Sequence, residues 1–373
     1  MIYLYYSEKF QGYNFGPEHP FNPARLILAY TLIEESGLID DFTCRIEPNP
    51  AREADLLRVH TTEYMAAVKA EEPDLAFGLG SDDTPIFPGI CNASRLLAGG
   101  SIDAARRIVA EDCSAFNLGG GLHHAMPSLA SGFCVFDDPA LAICTLKERF
   151  ERVLYIDIDG HHGDGVQQIF YEDPSVLTIS IHESGLYLFP GTGFIDEIGA
   201  GAGRGYSVNI PMPMYSGDEE YRFAFEEIVP RLFEWFRPQA VVAQLGVDTH
   251  YSDPLTSLNL TLNGYIYLVR RIIELTNQYC RGRLLALGGG GYNMEVVPVA
   301  WTSVLRLMRK EPLPEYLPPC WVEFFINFVG REPLTLPDIE MNVGSETAKR
   351  INSELANTLQ GLMGKINENH FVF

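Results

Sequence analysis

Aspartate and histidine recur in this chain at the short spacings that metal and acid–base chemistry require. The densest run is Asp157-Ile158-Asp159-Gly160-His161-His162-Gly163-Asp164-Gly165. Asp159 and His161 are two apart, so on an extended segment their side chains leave on the same side. Asp248, within Gly246-Val247-Asp248-Thr249-His250, could complete an Asp-His-Asp set. Such a set of oxygen and nitrogen ligands suits Zn²⁺ and also accepts Fe²⁺ or Mn²⁺. Three protein ligands leave a position open for water and substrate, which is the catalytic arrangement. A lone Asp-x-His more often caps a loop, and the case here rests on what stands near it. His123 and His124 form an adjacent pair. Consecutive residues point differently, so one imidazole could activate a water while the other protonates a leaving group. Each needs a carboxylate on its second nitrogen, and Asp157 and Asp164 remain for that role. Tyr292 follows the glycines at 288–291, where nothing obstructs its approach to a substrate, and its hydroxyl could donate to a developing oxyanion. The G-x-S-x-G elbow of serine hydrolases is absent, as are the glycine patterns of nucleotide cradles.

The elements that must position these residues alternate along the chain. Strands are predicted over 2–6, 114–117, 152–157, 176–181, 206–210, 240–245 and 283–287, with helices over 23–36, 56–70, 93–110, 139–149, 219–236, 263–279 and 294–309. That alternation reads as an α/β fold with a mostly parallel central sheet covered by helices. Ligands in such sheets sit at the carboxyl ends of the strands, and nearly every predicted strand end delivers a His, an Asp or the glycine-flanked Tyr292. Asn22 before Pro23 predicts one helix N-cap, and Asn263 another. No linker interrupts the pattern before about residue 310, so residues 1–310 read as one domain. Beyond it, Pro312, Pro314, Pro318 and Pro319 break regular structure. Ile351, Leu355, Leu359, Leu362 and Ile366 then recur at helical steps, so residues 311–373 are expected to end in a helix folded back on the same domain.

Composition narrows the class. With 46% hydrophobic and 20% charged residues among 373, the chain can fill a large core. A formal charge of −22 repels phosphate backbones, so direct nucleic-acid binding is not expected. Seven widely spaced cysteines without a C-x-x-C read as reduced thiols. The start resembles a strand rather than a signal peptide, and no run nears the roughly 18 apolar residues of a membrane span. A cytoplasmic protein is expected.

Taken together, the motifs resemble the zinc-dependent histone deacetylases. Residues 119–125, Ser131-Gly132-Phe133-Cys134, 157–165, Phe189-Pro190-Gly191-Thr192-Gly193, Asp248 and 288–293 stand in that family's order. The chain is more closely similar to the bacterial acetoin-utilization (class I-like) deacetylases. It shares their His19-Pro20-Phe21-Asn22, Gly120-Gly121-Leu122-His123-His124-Ala125-Met126-Pro127 and Asp82-Asp83-Thr84-Pro85-Ile86-Phe87-Pro88-Gly89 patterns, over about residues 3–310. The resemblance implies an arginase/deacetylase-like fold and hydrolysis of N-acetyl-lysine amides in proteins or peptides. It implies Asp159, His161 and Asp248 as Zn²⁺ ligands, His123 and His124 with Asp157 and Asp164 as the acid–base groups, and Tyr292 as oxyanion donor. It further implies Gly132, Phe133 and Phe189 along a narrow substrate tunnel with Leu255 at its mouth, Asp83 on the rim, and Arg25 in an inner pocket for acetate. Two structural K⁺ sites follow from it as well. One would use Asp157, Ser180 and carbonyls of Asp159, His161 and Ile181; the other would use carbonyls near Phe170, Asp173, Val176 and Tyr206. Gly160 stands where the family usually has a bulky apolar residue, implying a looser tunnel floor. Leu255 is not the acidic gatekeeper of a polyamine-selective member, although acetylated small amines remain an alternative substrate. A dinuclear manganese ureohydrolase, using Asp157, Asp159 and Asp253-Pro254, is the rival on the same architecture. Glu71, Glu72, Asp74, Asp82 and Asp83 would gather acidic charge at the rim.

Overall fold

The structure, a computed structural model, describes residues 1–333 and 343–370. Parts of the C-terminal extension, residues 334–342 and 371–373, therefore lie outside the described residues. Among the described residues eight strands form one sheet: β1 (Ile2–Tyr5), β2 (Thr43–Ile46), β3 (Ser114–Asn117), β4 (Val153–Asp157), β5 (Val176–Glu183), β6 (Ser207–Met212), β7 (Ala240–Gln244) and β8 (Leu284–Leu287). Their order is β2-β1-β3-β8-β7-β4-β5-β6, and every pair is parallel. All carboxyl ends consequently face one edge.

The period of two in each strand sorts side chains between two cores. Val153 and Tyr155 of β4 face the smaller core with Ala140 and Ile143, whereas Leu154 and Ile156 face the larger one. The first face is covered by α4 (Ile90–Ala110) and α5 (Asp138–Leu146); α1 (Ala24–Glu35), α7 (Asp218–Phe236), α8 (Leu262–Cys280) and α9 (Val296–Arg309) pack on the other. Burial on both faces explains why these strands read as unbroken apolar runs rather than alternating ones.

Several boundaries differ from the sequence reading for local reasons. The short edge strand β2 is not among the predicted strands, because four residues including Arg45 give no period to detect. The helix predicted over 56–70 is two, α2 (Glu53–Leu56) and α3 (Thr62–Ala70), because Thr61 Oγ1 caps the second by accepting from Tyr64 N. Helix α4 begins at Ile90, where the Glu71 carboxylate accepts from the amides of Gly89 and Cys91. Thr261, not Asn263, caps α8, while Asn22 does accept from Ala24 N at the start of α1, where Pro23 is itself the N-cap. Strand β5 runs on through His182 and Glu183.

After α9, α10 (Pro319–Val329) docks on α1, with Trp321 Nε1 donating to Leu28 O at 3.0 Å. Helix α11 (Ser345–His370) packs on α7 and β6 and buries Ile351, Leu355, Leu359, Leu362 and Ile366. Lys365 pairs with Asp196, and Gly361 lies under Ile195, which joins α11 to the segment following Phe189. Helix α6 (Asp164–Ile169) links β4 to β5. No helix among the described residues is long and apolar enough to cross a membrane.

Candidate active site

Five consecutive strands, β3, β8, β7, β4 and β5, bring their carboxyl ends side by side. The loops that leave them carry His123 and His124, Tyr292, Asp248, and the 157–164 run. Asp159, His161 and Asp248 converge so that their ligand atoms all lie within 4.8 Å of one another. His161 Nδ1 is 3.0 Å from Asp248 Oδ2 and 3.2 Å from Asp159 Oδ1. Ligand atoms about 2.0 Å from a tetrahedral zinc are about 3.3 Å apart, so the spacing and the donor set fit that ion.

What fixes these ligands is as informative as the ligands themselves. Asp159 Oδ2 accepts from Gln244 Nε2 at 2.6 Å and from Gly290 N at 2.8 Å, which leaves Oδ1 toward His161. Asp248 Oδ1 accepts from Gly160 N at 2.6 Å, which leaves Oδ2 toward His161. Burial, and then the neighbouring Asp159 charge, pushes Asp248 up to about 6. For His161 burial works the other way, but the two carboxylates prevail and hold its imidazole well above the usual range. The site thus demands positive charge, which a divalent ion would satisfy on displacing that proton.

The histidine pair is assigned its carboxylates by geometry. His123 Nδ1 donates to Asp157 Oδ2 at 2.7 Å, and His124 Nδ1 to Asp164 Oδ1 at 2.6 Å. The two rings lie 4.0 Å apart, and both residues are buried. Burial opposes charge on His123, yet Asp157 and Asp159 raise it to about 9. Burial and the charge of His123 lower His124 below the ordinary imidazole range despite Asp164. Tyr155 OH also donates to Asp157 Oδ2 at 2.5 Å.

Tyr292 is held from two sides. Its amide donates to Asp253 Oδ2 at 2.7 Å, and Arg25 Nη1 donates to the carbonyls of Gly289 and Gly291, each at 2.9 Å. Arg25 is buried, with its guanidinium 4.3 Å from the Phe21 ring centre and 5.7 Å from that of Tyr292. Burial pushes the Tyr292 hydroxyl well up, so it stays protonated and able to donate. Asp253 spends its second oxygen on Leu255 N, so this carboxylate holds backbone rather than joining the Asp159 set.

Phe133 stands edge-on to Tyr292 at 5.9 Å, and Phe189 edge-on to His124 at 5.1 Å. Gly132 must be glycine: it has φ +54°, and a Cβ there would lie 2.2 Å from His124 Cδ2. Phe133 itself adopts φ +66°, with its carbonyl accepting from Tyr13 OH at 2.6 Å. Asp83 accepts from Gly132 N at 2.6 Å, so its Oδ2 already steadies this turn. Two other acids of the rim group act on backbone as well, Glu71 on α4 and Asp74 on Ala76 N, leaving Glu72 and Asp82 exposed. Leu255 is half-buried two residues beyond Asp253.

The residues named for K⁺ fall in two places. Asp157 and Ser180 are cross-strand partners on β4 and β5, Ile181 follows Ser180, Asp159 N donates to Asp157 Oδ1 and His161 N to Asp159 Oδ1. Phe170, Asp173 and Val176 form the α6–β5 turn, and Tyr206 O meets Thr178 N.

Gln244, Tyr155 and Asp253 were not singled out for these positions by sequence. Gln244 left one signal, as the polar end of the otherwise apolar strand AVVAQ. His162 and His182, buried 4.7 Å apart, tie β5 to the Phe189 loop through Thr192 and the Gly193 carbonyl.

A histone deacetylase domain matches residues 19–308. The acetoin utilization protein AcuC of Bacillus subtilis is 43% identical over 343 residues, covering 89% of this chain and 87% of its own length. Histone deacetylase clr6 of Schizosaccharomyces pombe is 36% identical over 362 residues, covering 94% of this chain and 85% of its own. Among solved structures, an HDAC homolog complexed with SAHA aligns at a TM-score of 0.86 with 31% identity, over 97% of this chain and 99% of that one. An HDAC homolog from Aquifex aeolicus aligns at 0.83 with 31% identity, over 94% and 99%.

Proposed function

The chain belongs to the histone deacetylase family and is a hydrolase of the deacetylase class; on that premise we propose that it cleaves N-acetyl-lysine side-chain amides to lysine and acetate, using one Zn²⁺ held by Asp159, His161 and Asp248. The observation that carries this reading is the pair of carboxylate-backed imidazoles, 4.0 Å apart, beside a three-ligand set. When bound, the ion polarises the acyl carbonyl and lowers the pKa of a water toward neutrality. Because Asp164 occupies the Nδ1–H of His124, its Nε2 is the free position that takes the proton from the attacking water. His123, held through Nδ1 by Asp157, returns a proton to the departing lysine amine. Tyr292 donates its hydroxyl to the oxyanion developing on the former carbonyl oxygen. Arg25 and Asp253 keep the 289–292 backbone where that donation is possible. Phe133, with Gly132 beneath it, and Phe189 flank the alkyl stem and exclude water. Leu255 lies at the mouth, and the second oxygen of Asp83 is assigned to substrate backbone amides. Acetate leaves past Arg25.

K⁺ is assigned to the Asp157/Ser180 position and to the α6–β5 turn, where it would brace the strand ends. Seven free thiols suit a reducing compartment such as the cytoplasm.

The deciding experiment presents the Zn²⁺-loaded protein with acetyl-lysine peptides, longer acyl-lysine peptides and acetylpolyamines in parallel, measuring released acid. Acetate release fastest from the acetyl-lysine peptides supports the reading. Release only from polyamines would move the substrate to small amines, and two tightly bound metal ions per chain would favour ureohydrolase chemistry.

A further inference from the structure

The turn that carries His123 and His124 packs against an acid that the mechanism above does not use. Asp137, the N-cap of α5, is fully buried, at 0% exposure. Its Oδ1 accepts from Ala140 N at 2.7 Å and so caps the helix. Its Oδ2 meets no donor among the described residues. What this oxygen faces is more oxygen. A Cβ on Gly165 would lie 2.5 Å from Ala125 O, 2.7 Å from His123 O and 2.8 Å from Asp137 Oδ2, so the three crowd one face of that glycine. His123 O already accepts from Gly165 N at 3.0 Å. Ala125 is also fully buried, and its carbonyl accepts from no donor among the described residues.

Two buried acceptors side by side without a donor are unfavourable, because each has given up water and neither gains a partner. One proton satisfies both. We propose that Asp137 is a neutral carboxylic acid in the folded protein and that its Oδ2–H donates to the Ala125 carbonyl, making it a positioning residue for the His123–Ala125 turn. The surroundings agree. Burial pushes the Asp137 carboxyl well up, and the charges of Asp138 and Asp164 add to it, against the Ala140 amide and the charge of His123. His60, which accepts from Asp137 N at 3.1 Å, is kept neutral by burial. Burial likewise keeps the Tyr155 hydroxyl and the Cys134 and Cys144 thiols protonated. A neutral Asp137 anchors the turn without adding a further negative charge beside the histidines that Asp157 and Asp164 already back. The consequence for turnover rests on the deacetylase reading; the protonation does not.

The test compares the full-length, Zn²⁺-loaded wild type with Asp137→Asn, whose amide keeps the cap oxygen and replaces the O–H donor by an N–H. An infrared difference spectrum at neutral pH should show the C=O stretch of a protonated carboxyl in the wild type that the variant lacks. Other neutral acids, such as Asp253, are common to both proteins and cancel. A carboxylate band instead, which a water donating to both oxygens would leave, overturns the proposal. Stability gives a second readout. An acid whose folded pKa lies above its unfolded value of about 3.9 contributes fully below that pH, and the contribution is lost as pH rises toward the folded pKa. The Tm of Asp137→Asn should therefore gain on wild type as pH rises from about 5. Asp138, which burial pushes up to about 6, ionises in that range and raises Asp137 further, so the sign holds. A gap that stays flat or narrows overturns the proposal as well. Asp137→Ser keeps a cap oxygen but offers no group that reaches the carbonyl. It should lower kcat by about ten-fold with KM little changed, whereas Asp137→Asn keeps kcat. Full kcat in the Ser variant, or an equal loss in both, overturns the positioning role. A protein that deacetylates nothing in any form would sink the functional reading and leave the infrared and Tm readouts to decide the protonation.

Discussion

At the carboxyl edge of the sheet Asp159 Oδ2 receives two donors, from Gln244 and Gly290, whereas near the 313–318 segment Thr302 Oγ1 and Arg306 Nε meet no acceptor among the described residues. Both regions bury polar atoms, and the difference lies in what each leaves unspent. At the sheet edge the two carboxylates beside His161 are each held on one oxygen so that the other is aimed: Asp159 Oδ1 and Asp248 Oδ2 both turn to His161. The backing groups, Gln244 at the end of β7 and the amides of Gly160 and Gly290 in the loops after β4 and β8, place the free lone pairs before any ligand arrives. On α9 the two donors lie enclosed on a single helix, and the neighbouring 313–318 segment is irregular chain. The first arrangement aims free lone pairs at a ligand position; the second leaves its donors enclosed.

This contrast can be broken at its strongest point by His161→Ala. Bound zinc should fall from one ion per chain to near none and deacetylation to background, measured by elemental analysis and acetate release. A His161→Ala protein retaining a full metal equivalent would show that the set does not hold the ion. Next in size, Tyr292→Phe should lower kcat by about 10²–10³ while leaving metal content intact. Near-normal kcat would remove Tyr292 from oxyanion stabilisation. Gln244→Leu tests the backing donor itself. It should weaken zinc affinity by about 10- to 100-fold, read by competition with a chromogenic chelator, since Asp159 Oδ2 would keep only Gly290.

The smallest effect concerns a buried imidazole near this edge whose two ring nitrogens both have partners. His60 donates through Nδ1 to Met126 O and accepts from Asp137 N, and burial holds its pKa at about 4. The unfolded chain, with an imidazole near 6.5, then binds more protons than the folded one between those values. Stability from neutral His60 is therefore present above pH 6.5 and lost as pH falls toward 4. His60→Gln should show a shallower decline of Tm over that window than wild type. Parallel slopes would mean that His60 is not held neutral.

Sequence spacing carried the aimed groups better than the backing ones. Asp159 and His161 share a side because an extended segment repeats every two residues, and His123 and His124 stand together in the chain itself. Their partners come from elsewhere in the sheet: Gln244 lies 85 residues from Asp159, and Asp253 lies 39 from Tyr292. Only the strand order β3-β8-β7-β4-β5 makes these neighbours, and no local pattern encodes that order. The same limit applies to charge at the rim. Glu71 and Asp83 count equally in the net −22, yet one caps α4 and the other steadies Gly132. The apolar steps from Ile351 to Ile366 did announce a buried face, whereas its resting place on α7 and β6 required the fold.

The central claim is that the carboxyl edge is built to work with a single metal ion. It is tested most directly by stripping the protein of metal, adding Zn²⁺ in fractions of an equivalent, and following acetate release from an acetyl-lysine peptide. The account predicts activity rising in proportion to added zinc and levelling at one ion per chain. Full activity without added metal, or a rise that continues to two ions, would contradict it.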